Sequence, residues 1–218
     1  MASTQDRSTW LAVAAVVAGT LFVIIAFAYR SGVTTGMDTA AYALFATVDD
    51  TTLDLIAQAD DDAARVVPTF ALAALMGVGL AWKGPRWAWF VPLGIALTTL
   101  IEFFAKVGFG RGLHLGEILR AAQEFIGVRF STGASFPSGH VARTVFLATI
   151  SARFFAPWVT LALAIFAALT FLARLYIEAH RLSDVLGGAA LGVCVACAAL
   201  WLRAILDKRG KGRDSVVS

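Results

Sequence analysis

The chain has 218 residues, of which 59% are apolar and 15% are Asp, Glu, Lys or Arg, against about 25% charged in an ordinary soluble domain. Its mean hydropathy is +0.76, which excludes a disordered chain and argues against a soluble globular domain. The net charge of +3 comes from scattered basic residues with one C-terminal cluster, so it does not describe a nucleic-acid-binding surface. The class that remains is an integral membrane protein, whose spanning helices each need roughly 20 apolar residues.

Trp10 to Tyr29 carries no charge, and a first span is expected at 10–29. Its apolar core is longer than that of a signal peptide and no small-residue cleavage site follows, so the helix is expected to be retained. The next segment holds Asp38, Asp49, Asp50, Asp54, Asp60, Asp61 and Asp62, with no Lys or Arg between Gly32 and Ala64. Residues 34–62 are expected to form short interfacial helices. A second span at 66–82 is bounded by Arg65 and Lys83, and a third at 87–105 carries one charge, Glu102.

In 115–126, Leu115, Ile118, Leu119, Ala122, Phe125 and Ile126 recur at helical spacing opposite Glu117, Arg120, Gln123 and Glu124. That pattern fits an amphipathic helix on the membrane surface, and equally one packed on other loops. A fourth span at 139–155 has Arg143 and Arg153 near its ends, and a fifth at 157–174 starts on Pro157, which suits a first helical turn. The sixth is at 185–203, followed by a basic tail at 204–218. The expected fold is all-α: a six-transmembrane-helix bundle with short interfacial helices in the outer loops. Residues 1–218 are expected to form one membrane domain.

Raw counts of Lys and Arg are equal on the two sides and do not orient the chain. Their distribution does. Arg203, Lys208, Arg209, Lys211 and Arg213 lie in the tail, and Lys83 and Arg86 lie in a short loop on the same face. By the positive-inside rule both termini are inside, and the acidic 34–62 loop is outside.

Charged residues at membrane depth are costly and mark function. Lys106 ends the third span, His140 and Arg143 begin the fourth, Arg174 ends the fifth, and His180 and Asp184 precede the sixth. Ends of odd spans and starts of even spans share one face, so these groups converge outside. Cations with two imidazoles suit a phosphate, and Ser138 with the Gly139 amide opens a helix N-terminus, a ready anion site.

Each group alone has a plainer reading. Lys106 or Arg174 can snorkel to headgroups, as expected for Arg30, Arg65 and Arg153. Ser138 can simply cap a helix. Glu102, four residues before Lys106, is expected to pair with it. Cys194 and Cys197 read as small packing residues beside Gly187, Gly188 and Gly192. Trp10, Trp82, Trp87 and Trp158 form an interfacial belt. The combination of residue types on one face carries the functional argument.

Phe136-Pro137-Ser138-Gly139-His140, followed by Arg174-Leu175-Tyr176-Ile177-Glu178-Ala179-His180-Arg181-Leu182-Ser183-Asp184, resembles the type 2 phosphatidic-acid phosphatase superfamily, which includes the vanadium haloperoxidases. The second motif, Pro-Ser-Gly-His, is intact. The third keeps its Arg, His and Asp spacing, with Ala173 where Ser is usual. The first, Lys, six residues, Arg-Pro, departs: Leu113 and His114 stand in place of Arg-Pro, and Arg111 lies two residues early between Gly110 and Gly112. The resemblance covers roughly residues 66 to 203.

The resemblance implies His180 as nucleophile, with Asp184 fixing its tautomer. It implies His140 as the acid that protonates the leaving oxygen and then the base that activates water. Lys106, Arg174 and, as a substitute, Arg111 would hold the phosphate oxygens with Ser138 and Gly139. It implies no metal and no cofactor. The sequence reading agrees, finding no HExxH and no Asp/Glu cluster at that face. The implied activity is a lipid phosphatase at the outer interface of a bacterial plasma membrane. Polyprenyl diphosphate is slightly favoured over phosphatidate and phosphatidylglycerophosphate. A lipid phosphotransferase using the same site and a non-hydrolytic lipid-phosphate binder are the alternatives, and a haloperoxidase ranks last.

Overall fold

The computed structural model describes residues 4–82, 89–109, 135–178 and 180–214, and every regular element among them is helical. In chain order these are α1 (Thr4–Arg30), α2 (Thr35–Phe45), α3 (Thr51–Ala63), α4 (Val66–Ala81), α5 (Phe90–Phe109), α6 (Gly139–Phe154), α7 (Pro157–Tyr176) and α8 (Leu182–Asp214). A helix stands at each of the six expected spans, and α2 and α3 are the expected short helices of the acidic segment. The amphipathic segment expected at 115–126 lies outside the described residues.

The span count is less regular than six equal crossings. Among the described residues four helices, α1, α5, α7 and α8, are long and apolar enough to cross a bilayer, and α3 with α4, bent by 61° between them, would supply a fifth. The fourth expected span, α6, has only 16 residues. It is also the helix with the most enclosed surroundings: Val141, Ala142, Phe146, Leu147 and Ile150 are all buried. A helix shielded by its neighbours need not match the hydrocarbon thickness by itself. The sixth helix starts three residues before its expected first residue, Val185, and continues through the basic tail to Asp214.

One apolar cluster joins α4, α5, α6 and α8, through Ala73, Met76, Ile95, Phe146, Leu147 and Val195. Gly94 makes room for the Phe146 ring: a Cβ there would lie 2.2 Å from Phe146 Cζ. Outward-facing Val16, Phe27, Leu75, Phe104 and Leu161 are exposed, as suits helices whose solvent is lipid.

Helix α3 begins on a side-chain cap, with Asp50 Oδ1 accepting from the amides of Thr52 and Leu53 at 2.8 and 2.9 Å. It then lies along the C-terminal half of α7. Thr170 Oγ1 donates to Asp60 Oδ1 at 3.0 Å and Tyr176 Oη donates to Asp54 Oδ1 at 2.7 Å. The acidic segment is therefore fastened across the end of the bundle where the motif residues gather.

Candidate active site

The second-motif loop is held against α8 by the absence of side chains. A Cβ on Gly188 would lie 2.3 Å from the Ser138 carbonyl oxygen, and one on Gly192 would lie 2.4 Å from that of Ala142. Only glycine permits this backbone approach. The same closeness lets the Ser138 amide donate to the Asp184 carbonyl at 2.9 Å. Phe136, just before the motif, is fully buried and stacks on Tyr29 of α1 at 5.0 Å between centroids. The aromatic contact from α1 and the glycines of α8 together fix where α6 begins.

The loop between α7 and α8 is a tight reversal. Glu178 takes φ 53°, in the left-handed region, and the His180 amide donates to the Arg174 carbonyl at 3.2 Å. Two carboxylates then cap α8. Asp184, at its third residue, accepts from the Arg181 amide at 2.8 Å, the reciprocal half of a capping box. Asp38, from α2, accepts from the Ser183 amide at 2.8 Å and its hydroxyl at 2.9 Å. These bonds satisfy amides that a helix start leaves unpaired.

His180 Nδ1 lies 3.5 Å from Asp184 Oδ2, leaving Nε2 as the ring nitrogen not directed at the carboxylate. Burial lowers the His180 pKa below the ordinary imidazole range. The Asp184 carboxylate opposes that shift, while the charges of Lys106 and Arg174 add to it. The imidazole is therefore held neutral at pH 7, the form that can attack.

Around the histidines, cations and carboxylates interlock. Glu102 accepts from Lys106 Nζ and from Arg143 Nη1, both at 2.7 Å. Arg143 is 1% exposed and also donates to the Ala64 carbonyl at 3.3 Å, at the bend between α3 and α4. Asp61 Oδ1 lies 2.6 Å from Arg174 Nη2 and 3.4 Å from His140 Nε2. The Ser138 hydroxyl is buried, and among the described residues it has no hydrogen-bond partner.

Seven of the eight expected site residues, Lys106, Ser138, Gly139, His140, Arg174, His180 and Asp184, thus stand at one end of the bundle. Lys106, Arg174, His140 and His180 are near enough for their charges to act on one another. The eighth, Arg111, lies outside the described residues, as do Leu113 and His114.

Three sequence readings change. Ser138 occupies the N-cap position of α6 but makes no side-chain cap bond. Arg65 does not simply snorkel: it pairs with Asp61 and Asp62, each at 3.0 Å. Glu102 pairs with Lys106 as expected, but α3 also delivers Asp61 beside Arg174 and His140, which was not expected there. In the sequence Asp61 and Asp38 stand only as charges of the acidic loop. The i,i+4 spacing of Asp61 and Arg65 was the one local signal, while Asp38 gave none, its partner being 145 residues away.

Residues 87–207, more than half of the chain, match the PAP2 superfamily, and the chain belongs to it. It is an integral membrane protein. It is 27% identical over 158 residues to the lipid A 1-phosphatase of Porphyromonas gingivalis, which covers 70% of this chain and 32% of that protein. The chain thus spans about a third of that relative's length. Its fold resembles the crystal structure of the first transmembrane PAP2 type phosphatidylglycerolphosphate phosphatase from Bacillus subtilis. The TM-score is 0.69 at 20% identity, over 94% of this chain and 98% of that one.

Proposed function

We propose that this protein hydrolyses a phosphorylated lipid at the membrane–water interface through a phosphohistidine on His180. The observation that carries the reading is the buried approach of His180 Nδ1 to Asp184 Oδ2, 3.5 Å apart, in one cluster with His140 and Arg174. His180 Nε2 attacks phosphorus while the bond from phosphorus to the lipid oxygen breaks. His140 gives that oxygen a proton, then takes one from the water that cleaves the phosphorus–nitrogen bond and releases phosphate. Asp184 holds the ring and stabilises its charged form. Ser138, the Gly139 end of α6, Arg174 and Lys106 stabilise the transferring group, with Arg111 supplying the guanidinium that the first motif lacks.

Residues 1–218 act as one membrane phosphatase domain, with the site outside and both termini in the cytoplasm. The charge distribution of the loops supports that orientation. The lipid A 1-phosphatase relative adds lipid A 1-phosphate to polyprenyl diphosphate, phosphatidate and phosphatidylglycerophosphate. The charges here are met by side chains, so turnover is expected to survive a chelator. The test is phosphate release by the purified protein over these four lipids, with and without chelator. Hydrolysis of at least one, abolished in H180A, is expected. No release from any of them, or full activity in H180A, would overturn the reading.

A further inference from the structure

Two carboxylates sit on the cations assigned to the phosphate, and they are held very differently. Glu102 makes two well-directed hydrogen bonds of 2.7 Å to Lys106 and Arg143, with 8% of its side chain exposed. It is a fixed part of the frame. Asp61 is 25% exposed on its side chain. Its Oδ1 is 2.6 Å from Arg174 Nη2, yet no N–H of that nitrogen is aimed at it, and no hydrogen bond forms. The well-formed bond of Asp61 is its other oxygen's, to Arg65 Nη2 at 3.0 Å.

We infer that Asp61 is an internal stand-in for the substrate phosphate, an anion that occupies the Arg174–His140 position and must be displaced for the site to load. One carboxylate oxygen lies beside both the guanidinium that would hold an equatorial oxygen and the imidazole that would protonate the leaving one. That is where the oxygens of the bound phosphate belong. Displacement needs no helix movement. A rotation of the Asp61 side chain releases Arg174 while Oδ2 stays on Arg65, whose side chain is 41% exposed. A dianionic phosphate offers Arg174 more charge and better-directed acceptors than a misaligned carboxylate. The carboxylate in turn keeps a buried guanidinium from standing uncompensated between turnovers. Asp61 thus sets a threshold: a weakly charged headgroup does not evict it, and a phosphate monoester does.

The inference rests on the proposed phosphate site, and two substitutions with opposite signs test it. In D61N the competitor loses its charge. Orthophosphate should bind the purified full-length protein in detergent about 10-fold more tightly by titration calorimetry, between the worth of an exposed ion pair and that of a buried charged bond. In R65Q the carboxylate loses its alternative partner and sits harder on Arg174, so orthophosphate should bind several-fold more weakly. With a hydrolysed lipid, KM should move in the same directions. Unchanged or weaker binding in D61N overturns the inference, as does a D61N whose main defect is a kcat at least 10-fold lower, the mark of a residue that orients His140. If D61N does not fold, unchanged or tighter binding in R65Q overturns it. A wild-type protein that neither binds orthophosphate nor releases it from any lipid removes the phosphate site itself, and the inference with it.

Discussion

Replacing Glu102 by alanine probes the frame of the site where the forces are largest. The carboxylate receives two 2.7 Å bonds. The Arg143 side chain is 2% exposed and that of Lys106 is 8% exposed. Removing one member of a buried ion pair costs about 3–5 kcal/mol, because the remaining charge is left in a poor solvent. Among the described residues Arg143 retains only the 3.3 Å contact to the Ala64 carbonyl in partial compensation. For a chain of this size each kcal/mol moves the midpoint by roughly 2–4 °C, so E102A should unfold roughly 6–20 °C lower. E102Q, which keeps the shape and one acceptor, should lose less. The double variant E102M/R143M should recover part of the loss, since it removes the more deeply buried of the two cations that E102A strands, while Lys106 stays charged. Thermal unfolding of the detergent-solubilised protein, followed by tryptophan fluorescence, measures all three. An E102A midpoint within about 2 °C of wild type, or a double variant as unstable as E102A, would refute the reasoning.

Burial lowers the His180 pKa, and only neutral imidazole attacks, so activity should persist below the ordinary pKa near 6.5 and fail only as pH falls through the lowered value. An acid limb of kcat/KM that follows His180 at or above pH 6.5 would contradict this. Gly188→Ala places a Cβ 2.3 Å from the Ser138 carbonyl and should cost about 1–3 kcal/mol with most of the activity. Gly36→Ala, with nothing within 4 Å of its Cβ, should be neutral in the same unfolding and phosphate-release assays. Ser138→Ala removes a buried hydroxyl with no hydrogen-bond partner among the described residues, so it should leave the unfolding midpoint unchanged or slightly higher. In steady-state kinetics its catalytic efficiency should fall by about 10-fold, as expected for one lost contact to the transferring group.

Composition and periodicity were enough for an all-helical membrane protein, because runs such as Trp10–Tyr29 have no soluble reading. The gathering of Lys106, His140, Arg174, His180 and Asp184 at one end was also legible, since span parity alone brings them together. What the sequence did not reveal depends on tertiary approach. Asp38 caps α8 from 145 residues away, and nothing local to either partner announces it. Asp61 looked like one charge in an acidic loop, until α3 was laid along α7 and put it on Arg174. The Glu102–Lys106 pair was readable from its spacing of four. Arg143, the second partner of Glu102, was not, because it comes from another helix 41 residues on. The span expected at 139–155 stands within one residue as α6, which at 16 residues is shorter than α1, α5, α7 and α8.

The covalent intermediate is the most direct test of the central claim. The protein should be mixed with a hydrolysed lipid carrying a radiolabelled phosphate, quenched in alkali within one turnover, and separated from lipid. Label should be retained by the wild-type protein as phosphohistidine, acid-labile and mapping to the peptide that contains His180. It should be absent from H180A. Label on another residue, or equal label in H180A, would contradict the assignment of His180 as the nucleophile.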